Sequence, residues 1–154
     1  MDILEELKRL TAKLSEAGIE YALCGGLAMA IYARPRATLD IDILIELTSL
    51  FRTKRAVEEL GFAFSAEPME FHGGRVQIYR LCKIDTDSGE ELILDLLIVT
   101  PDIQQVWENR LTVEWEGGTL SVVSPEGLIA LKSMRGSGQD RDDIEYLRSI
   151  TDED

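Results

Sequence analysis

The order of apolar and polar positions divides the chain into alternating helical and extended stretches. Ile3, Leu7, Leu10 and Leu14 recur at spacings of three and four, with Glu5, Glu6, Lys8 and Arg9 between them. That period predicts an amphipathic helix over residues 3–17, stopped by Gly18. Residues 19–24 read as a short apolar strand. A second helix follows over residues 27–33, where Ala28 and Ala30 permit close packing on a sheet and Pro35 ends the element. Residues 40–46, rich in Ile and Leu, read as the second strand. Thr48 or Ser49 is placed to cap a third helix that reaches Leu60 and stops at Gly61.

Beyond Gly61 the pattern turns mostly extended. Residues 62–64 predict a short strand and residues 67–74 a turn. Residues 75–84 alternate, with Val76, Ile78, Arg80 and Cys82 on one face and Arg75, Gln77, Tyr79 and Leu81 on the other. An acidic turn at 85–90 folds this strand onto another at 92–99. Residues 101–109 form a short helical turn. The stretches 111–116 and 119–123 pair around Gly117–Gly118 as a hairpin. Ser124 caps a helix with Pro125 at its first position, running to Met134. Gly136 and Gly138 break it, and Asp140 caps a last helix containing Ile144, Tyr146, Leu147 and Ile150. The expected fold is α/β, a mixed twisted sheet with helices packed on it and the C-terminal helices closing one side.

Within this pattern one stretch, residues 21–46, carries candidate chemistry. Asp40 and Asp42 sit two apart in an otherwise apolar strand. A strand has period two, so both carboxylates share a face while Leu39, Ile41 and Ile43 point the other way. Paired carboxylates repel and are costly to desolvate, and a divalent cation resolves both problems. Mg²⁺ takes such oxygens together with water and substrate phosphates. Gly25 and Gly26 lie where the first strand turns into the second helix. A turn without side chains there lets phosphate oxygens approach backbone N–H groups at a helix N-terminus. A third carboxylate, Asp95, stands among Ile93, Leu97 and Val99 on one face of an apolar strand, where an isolated charge wants a metal or a partner.

Composition narrows the partners. The 154 residues suit one domain with a real core, and 45% hydrophobic with 29% charged residues indicates a globular protein. The net charge of −13 opposes tight binding to long duplex DNA, which needs a cationic footprint. A small anionic substrate held through metal ions remains compatible with it. No apolar run approaches the roughly 18 residues of a membrane span, and the N-terminus lacks a signal-peptide pattern. Cys24 and Cys82, far apart in apolar stretches, read as buried free thiols. Together these features suit the reducing cytoplasm. The single histidine, His72, makes no triad or zinc site by itself, and residues 87–89 lack the ligand pattern of a calcium loop.

Gly25-Gly26, followed after a spacer by Arg36, Thr38, Asp40 and Asp42, resembles the DNA polymerase β-like nucleotidyltransferase superfamily, especially its small bacterial members of the minimal and abortive-infection type. The resemblance covers residues 19–99 as a core and extends more loosely over 101–150. It implies that Asp40, Asp42 and Asp95 are the catalytic metal ligands for two Mg²⁺ ions. Gly25, Gly26, Arg36 and Thr38 would serve the nucleotide. Lys132 matches a lysine on the penultimate helix of these proteins, and Asp140 and Asp143 match two later aspartates. The implied reaction is transfer of NMP from an NTP to a hydroxyl acceptor on a protein, an RNA such as tRNA, or a small molecule, with release of pyrophosphate. Departures are Leu27, where many members have a serine after the glycine, and Ser137 and Gln139 in place of two cations. They keep a second expectation open, a catalytically silent nucleotide-binding regulatory module or a toxin–antitoxin component.

Overall fold

The computed structural model describes residues 2–32, 40–135, 145 and 147–150. Its first element, α1 (Ile3–Glu16), forms where the period predicts it. Asp2 caps it by accepting from the Leu4 and Glu5 amides at 3.0 and 3.4 Å. Its apolar stripe, Leu7, Leu10 and Leu14, is fully buried. Strand β1 (Ala22–Cys24) runs straight into α2 (Gly25–Tyr32), and β2 (Asp40–Ile45) returns antiparallel to β1. A 3-10 turn (Leu47–Ser49) leads into α3 (Leu50–Glu58). Ser49 holds the cap position without a capping hydrogen bond from its side chain. Its backbone carbonyl instead accepts from the Thr53 hydroxyl at 2.8 Å, one turn into the helix.

The segment read as a turn over 67–74 is largely extended. After β3 (Phe64–Ser65), β4 (Met69–Phe71) pairs antiparallel with β5 (Val76–Ile84), and only His72–Gly74 turns. The exposed edge position of β4 explains its polar look, because Glu70 faces solvent while the backbone hydrogen bonds to β5. Strand β6 (Glu91–Ile98) completes the hairpin with β5. A 3-10 turn (Pro101–Ile103), α4 (Gln104–Glu108), β7 (Leu111–Trp115), β8 (Gly118–Val122) and α5 (Pro125–Arg135) follow. Residues 147–150 are helical; the expected cap Asp140, with Ile144 and Tyr146, lies outside the described residues.

These strands form one mixed sheet in the order β3-β5-β6-β2-β1-β8-β7, with β4 also on β5. Strands β2 and β6 pair parallel at the centre, and β1 pairs parallel with β8. One sheet face, carrying Ile41, Ile43, Leu94 and Leu96, is fully buried. Lys83 from that face reaches Glu6 of α1 at 2.8 Å, and Lys54 of α3 lies over the Tyr79 ring, so α1 and α3 cover it. Residues of opposite parity, including all three aspartates, point to the other face. Cys24 is buried, whereas Cys82 is only half-buried and its thiol donates to Glu91 at 3.2 Å. No helix among the described residues is long and apolar enough to cross a membrane.

Helix α5 is anchored at its start. The Ser124 hydroxyl, buried, accepts from the Gly127 amide at 3.0 Å, the capping bond expected from the Ser-Pro-Glu pattern. Gly127 packs so closely that a Cβ there would stand 2.6 Å from Val123. Removing the cap leaves a buried amide without its acceptor. Ser124→Ala should therefore lower unfolding free energy by about 1–2 kcal/mol, read from the urea midpoint at unchanged slope.

Candidate functional site

The parallel register of β2 on β6 builds the site. It pairs Asp40 with Ile93 and Asp42 with Asp95. Residues opposite each other on neighbouring strands have backbones roughly 5 Å apart, so the Asp42 and Asp95 carboxylates emerge side by side. Asp40 stands one pleat repeat along the same face. On the far side of Asp42, β1 pairs Cys24 with it, and on the far side of Asp95, β5 pairs Arg80 with it. Cys24, Asp42, Asp95 and Arg80 thus form one straight row across four strands.

Arg80 is the residue that sequence reasoning missed. Its Nε and Nη2 donate to the two oxygens of Asp95 at 2.8 and 2.9 Å, a bidentate pair. Asp95 is 5% exposed, while the Arg80 side chain keeps 40% of its surface in solvent. The hydrogen bond to Asp95, with the charges of Asp95, Asp40 and Asp42 behind it, raises the Arg80 guanidinium above its usual range. Burial, then the neighbouring charge of Asp95, pushes the Asp40 carboxyl up, and Arg80 partly offsets this. The face therefore carries three carboxylates and one fixed cation.

Gly25 opens α2 immediately beside Asp42. Its φ is +69°, and a Cβ there would fall 2.8 Å from Asp42 Cγ, with Asp42 Oδ2 closer still. The backbone conformation and the Asp42 carboxylate both require glycine at this position. Gly26 follows in the first turn of the helix, where amides have no partner within the helix and favour anions. Lys132, on α5, is 4% exposed and lines the same cleft of about 470 Å³ as Gly25, Asp40, Asp42, Arg80 and Asp95. Arg36 and Thr38 lie outside the described residues, as do Ser137, Gln139 and Asp143.

The donor set would suit a hard divalent cation: carboxylate oxygens on one face, lining a cleft with the glycine start of α2. Among the described residues no three Asp, Glu, His or Cys side chains converge as a ready-made cage. Asp95 is turned to Arg80 instead. Each Asp95 oxygen has a further lone pair, so the pair with Arg80 and a metal contact are compatible.

Residues 3–154 match a family described as nucleotidyl transferase of unknown function (DUF2204), and the chain belongs to it. No curated protein matches the chain in sequence. Among solved structures, the fold resembles the lincosamide antibiotic adenylyltransferase LnuA bound to lincomycin. The two are 18% identical, with 95% of this chain and 96% of that one covered and a TM-score of 0.63. It also resembles a protein of Thermotoga maritima assigned as a nucleotidyltransferase, at 16% identity, 99% and 94% coverage and a TM-score of 0.64. A third likeness is ANT(2'')-Ia in complex with adenylyl-2''-tobramycin, at 13% identity, 96% and 97% coverage and a TM-score of 0.55.

The clash at Gly25 gives a test with an internal control. Gly89 has φ +75° and nothing within 4 Å of an added Cβ. Gly89→Ala should cost only the left-handed backbone penalty, about 1–2 kcal/mol. Gly25→Ala should cost clearly more, because the new methyl must displace the Asp42 carboxylate. Chemical denaturation of both variants measures the difference. Equal losses would show that Asp42 moves aside freely.

Proposed function

We propose that this protein is a Mg²⁺-dependent nucleotidyltransferase that moves NMP from an NTP to a hydroxyl acceptor and releases pyrophosphate. The observation that carries the reading is the in-register pair Asp42–Asp95, with Asp40 beside it and the glycine start of α2 next in line. Family membership supports the reaction class. The likeness to LnuA and ANT(2'')-Ia supports a small-molecule hydroxyl acceptor and an adenylyl donor, since those proteins carry an antibiotic and an adenylylated antibiotic.

In this reading Asp40, Asp42 and Asp95 hold two Mg²⁺ ions, which would neutralise the triphosphate, steady the leaving pyrophosphate and lower the pKa of the acceptor hydroxyl. The α2 amides after Gly25 receive phosphate oxygens. Lys132, buried in the cleft, adds positive charge where the triphosphate brings negative charge. Arg80 holds Asp95 in one orientation before substrate arrives, so less ordering remains for the reacting complex. Arg36 and Thr38 keep the nucleotide role that the resemblance gives them.

The same Arg80 favours a second reading, in which the guanidinium permanently satisfies Asp95 and the protein binds nucleotide without transferring it. Two variants separate the readings. Asp40→Asn combined with Asp42→Asn should abolish Mg²⁺-dependent NTP binding in calorimetry while the fold survives, because the change removes a repelling pair. Unchanged affinity in the folded double variant would sink the metal-site reading.

Asp95→Asn should act differently. It breaks the bidentate pair with Arg80, which should cost about 1–3 kcal/mol of stability, at the low end because Arg80 is partly solvated. Mg²⁺–NTP affinity should stay within several-fold, roughly 1 kcal/mol, because Asp40 and Asp42 remain. Single-turnover transfer should fall by about two orders of magnitude or more as the acceptor hydroxyl loses its activating ligand. The acceptor for this assay comes from incubating wild type with each α-labelled NTP, Mg²⁺ and cell extract. Wild type that binds Mg²⁺–NTP yet labels nothing would establish the silent module.

A further inference from the structure

We propose that the wall formed by β4, β5 and α5 is the acceptor subsite, and that it takes an uncharged amphipathic molecule, seated by an apolar portion with a hydroxyl directed at Asp95. The proposal rests on the nucleotidyl-transfer reading and deepens it.

The row across the sheet fixes which side the acceptor occupies. Triphosphate belongs at the α2 start, beyond Asp42 at the β1 end of the row. Transfer proceeds in line: the bond from the acceptor oxygen to the α-phosphorus forms as the α–β phosphoanhydride bond breaks. Pyrophosphate leaves with the electron pair, and the hydroxyl proton is released to water. The acceptor must then approach from the side opposite the leaving group. That is the Asp95–Arg80 end, toward β5 and β4.

Beyond Asp95 and Arg80 the surface is apolar. Leu97, Ile78 and Met69 pair in succession across β6, β5 and β4, giving a strip one repeat along from Asp95–Arg80. Phe71 extends the strip, and Leu131 and Met134 of α5 line the same cleft. Phe71 is 47% exposed, and Met69 and Ile78 are only half-buried. Apolar surface left open inside a concavity is surface that a ligand can withdraw from water.

Charge then selects the ligand. Among the described lining residues the only carboxylates are Asp40, Asp42 and Asp95, already committed to metal. Arg80 and Lys132 share the cleft. Among the described lining residues a polycation finds no further carboxylate and meets Arg80 and Lys132, while an anion meets three aspartates. A polar contact for an uncharged molecule is at hand in His72, which also lines the cleft. His72 is held at φ +53°, a conformation a non-glycine residue rarely adopts, ahead of Gly73 and Gly74 at +68° and +89°. Such strain persists where surrounding structure imposes it.

A matched pair of probes tests this. Methyl and n-hexyl β-D-glucoside carry the same free hydroxyls and differ only in the apolar tail. Their affinities, with kanamycin as the polycation, are measured by titration calorimetry on the protein with Mg²⁺ and the α,β-methylene analogue of ATP. The hexyl compound should bind about tenfold or more tightly than the methyl compound, and more tightly than kanamycin. Phe71→Asp, at an exposed position, and Ile78→Thr, which keeps strand propensity, should each remove most of the hexyl preference. Nucleotide affinity should stay within about twofold in both. Equal affinity for the two glucosides, tighter binding of kanamycin, or a hexyl preference that survives both variants overturns the subsite. If nucleotide binds and the hexyl preference is absent, only the subsite fails. If nucleotide does not bind wild type, the transfer reading fails, and the wall loses its role as an acceptor site.

Discussion

The parallel pairing of β2 on β6 is the constraint on which the rest depends. It sets Asp42 against Asp95, and through the flanking strands it aligns Cys24 and Arg80 in the same row. Parallel neighbours cannot be joined by a short turn; they need a long crossover. Here the crossover is α3 followed by β3, β4 and β5, so the constraint that juxtaposes the aspartates also brings β5 and its arginine to Asp95. The fully buried Ile41, Ile43, Leu94 and Leu96 lock the register, because a slip of one residue would turn them to the cleft and the carboxylates into the core.

Much of this was legible from period and punctuation. The helical stripe of α1, the alternation of β5 and β6, the Gly117–Gly118 hairpin and the Ser124 cap are local patterns, and local patterns survive folding. The β4 strand was not legible, because Glu67, Pro68 and Glu70 give it the composition of a turn while its identity comes from backbone pairing with β5. The capping role expected for Thr48 or Ser49 failed for a related reason. A 3-10 turn leads into α3, and Ser49 contributes its carbonyl rather than its hydroxyl.

For the site, period two put Asp40 and Asp42 on one face, and the apolar setting of Asp95 called for a partner. Both inferences concern single strands. The partner that the structure supplies, Arg80, depends on how two strands register. A signal existed: the turn at 85–90 opposes Ile84 to Glu91, and counting back along the hairpin opposes Arg80 to Asp95. A buried carboxylate in one strand should prompt that count before a metal is assigned to it. The nearness of Gly25 to Asp42 was beyond sequence reasoning, since it follows from the pairing of Cys24 with Asp42 rather than from the glycine itself.

The Arg80–Asp95 pair also bears on why three carboxylates can share a face in a chain already carrying net charge −13. Without a cation they would repel one another and, with Asp95 nearly fully buried, pay for desolvation as well. Arg80 supplies one positive charge from within the sheet, by a geometry that fixes both Asp95 oxygens. The fold therefore does not need metal to tolerate Asp95. Burial and the charge of Asp95 push the Asp40 carboxyl up even with Arg80 partly offsetting them. In the proposed mechanism a divalent cation held by Asp40 would relieve both costs. At the Asp95 end a cation joins an existing pair. There Arg80 already fixes both carboxylate oxygens, so a cation would meet an oriented ligand rather than a free one.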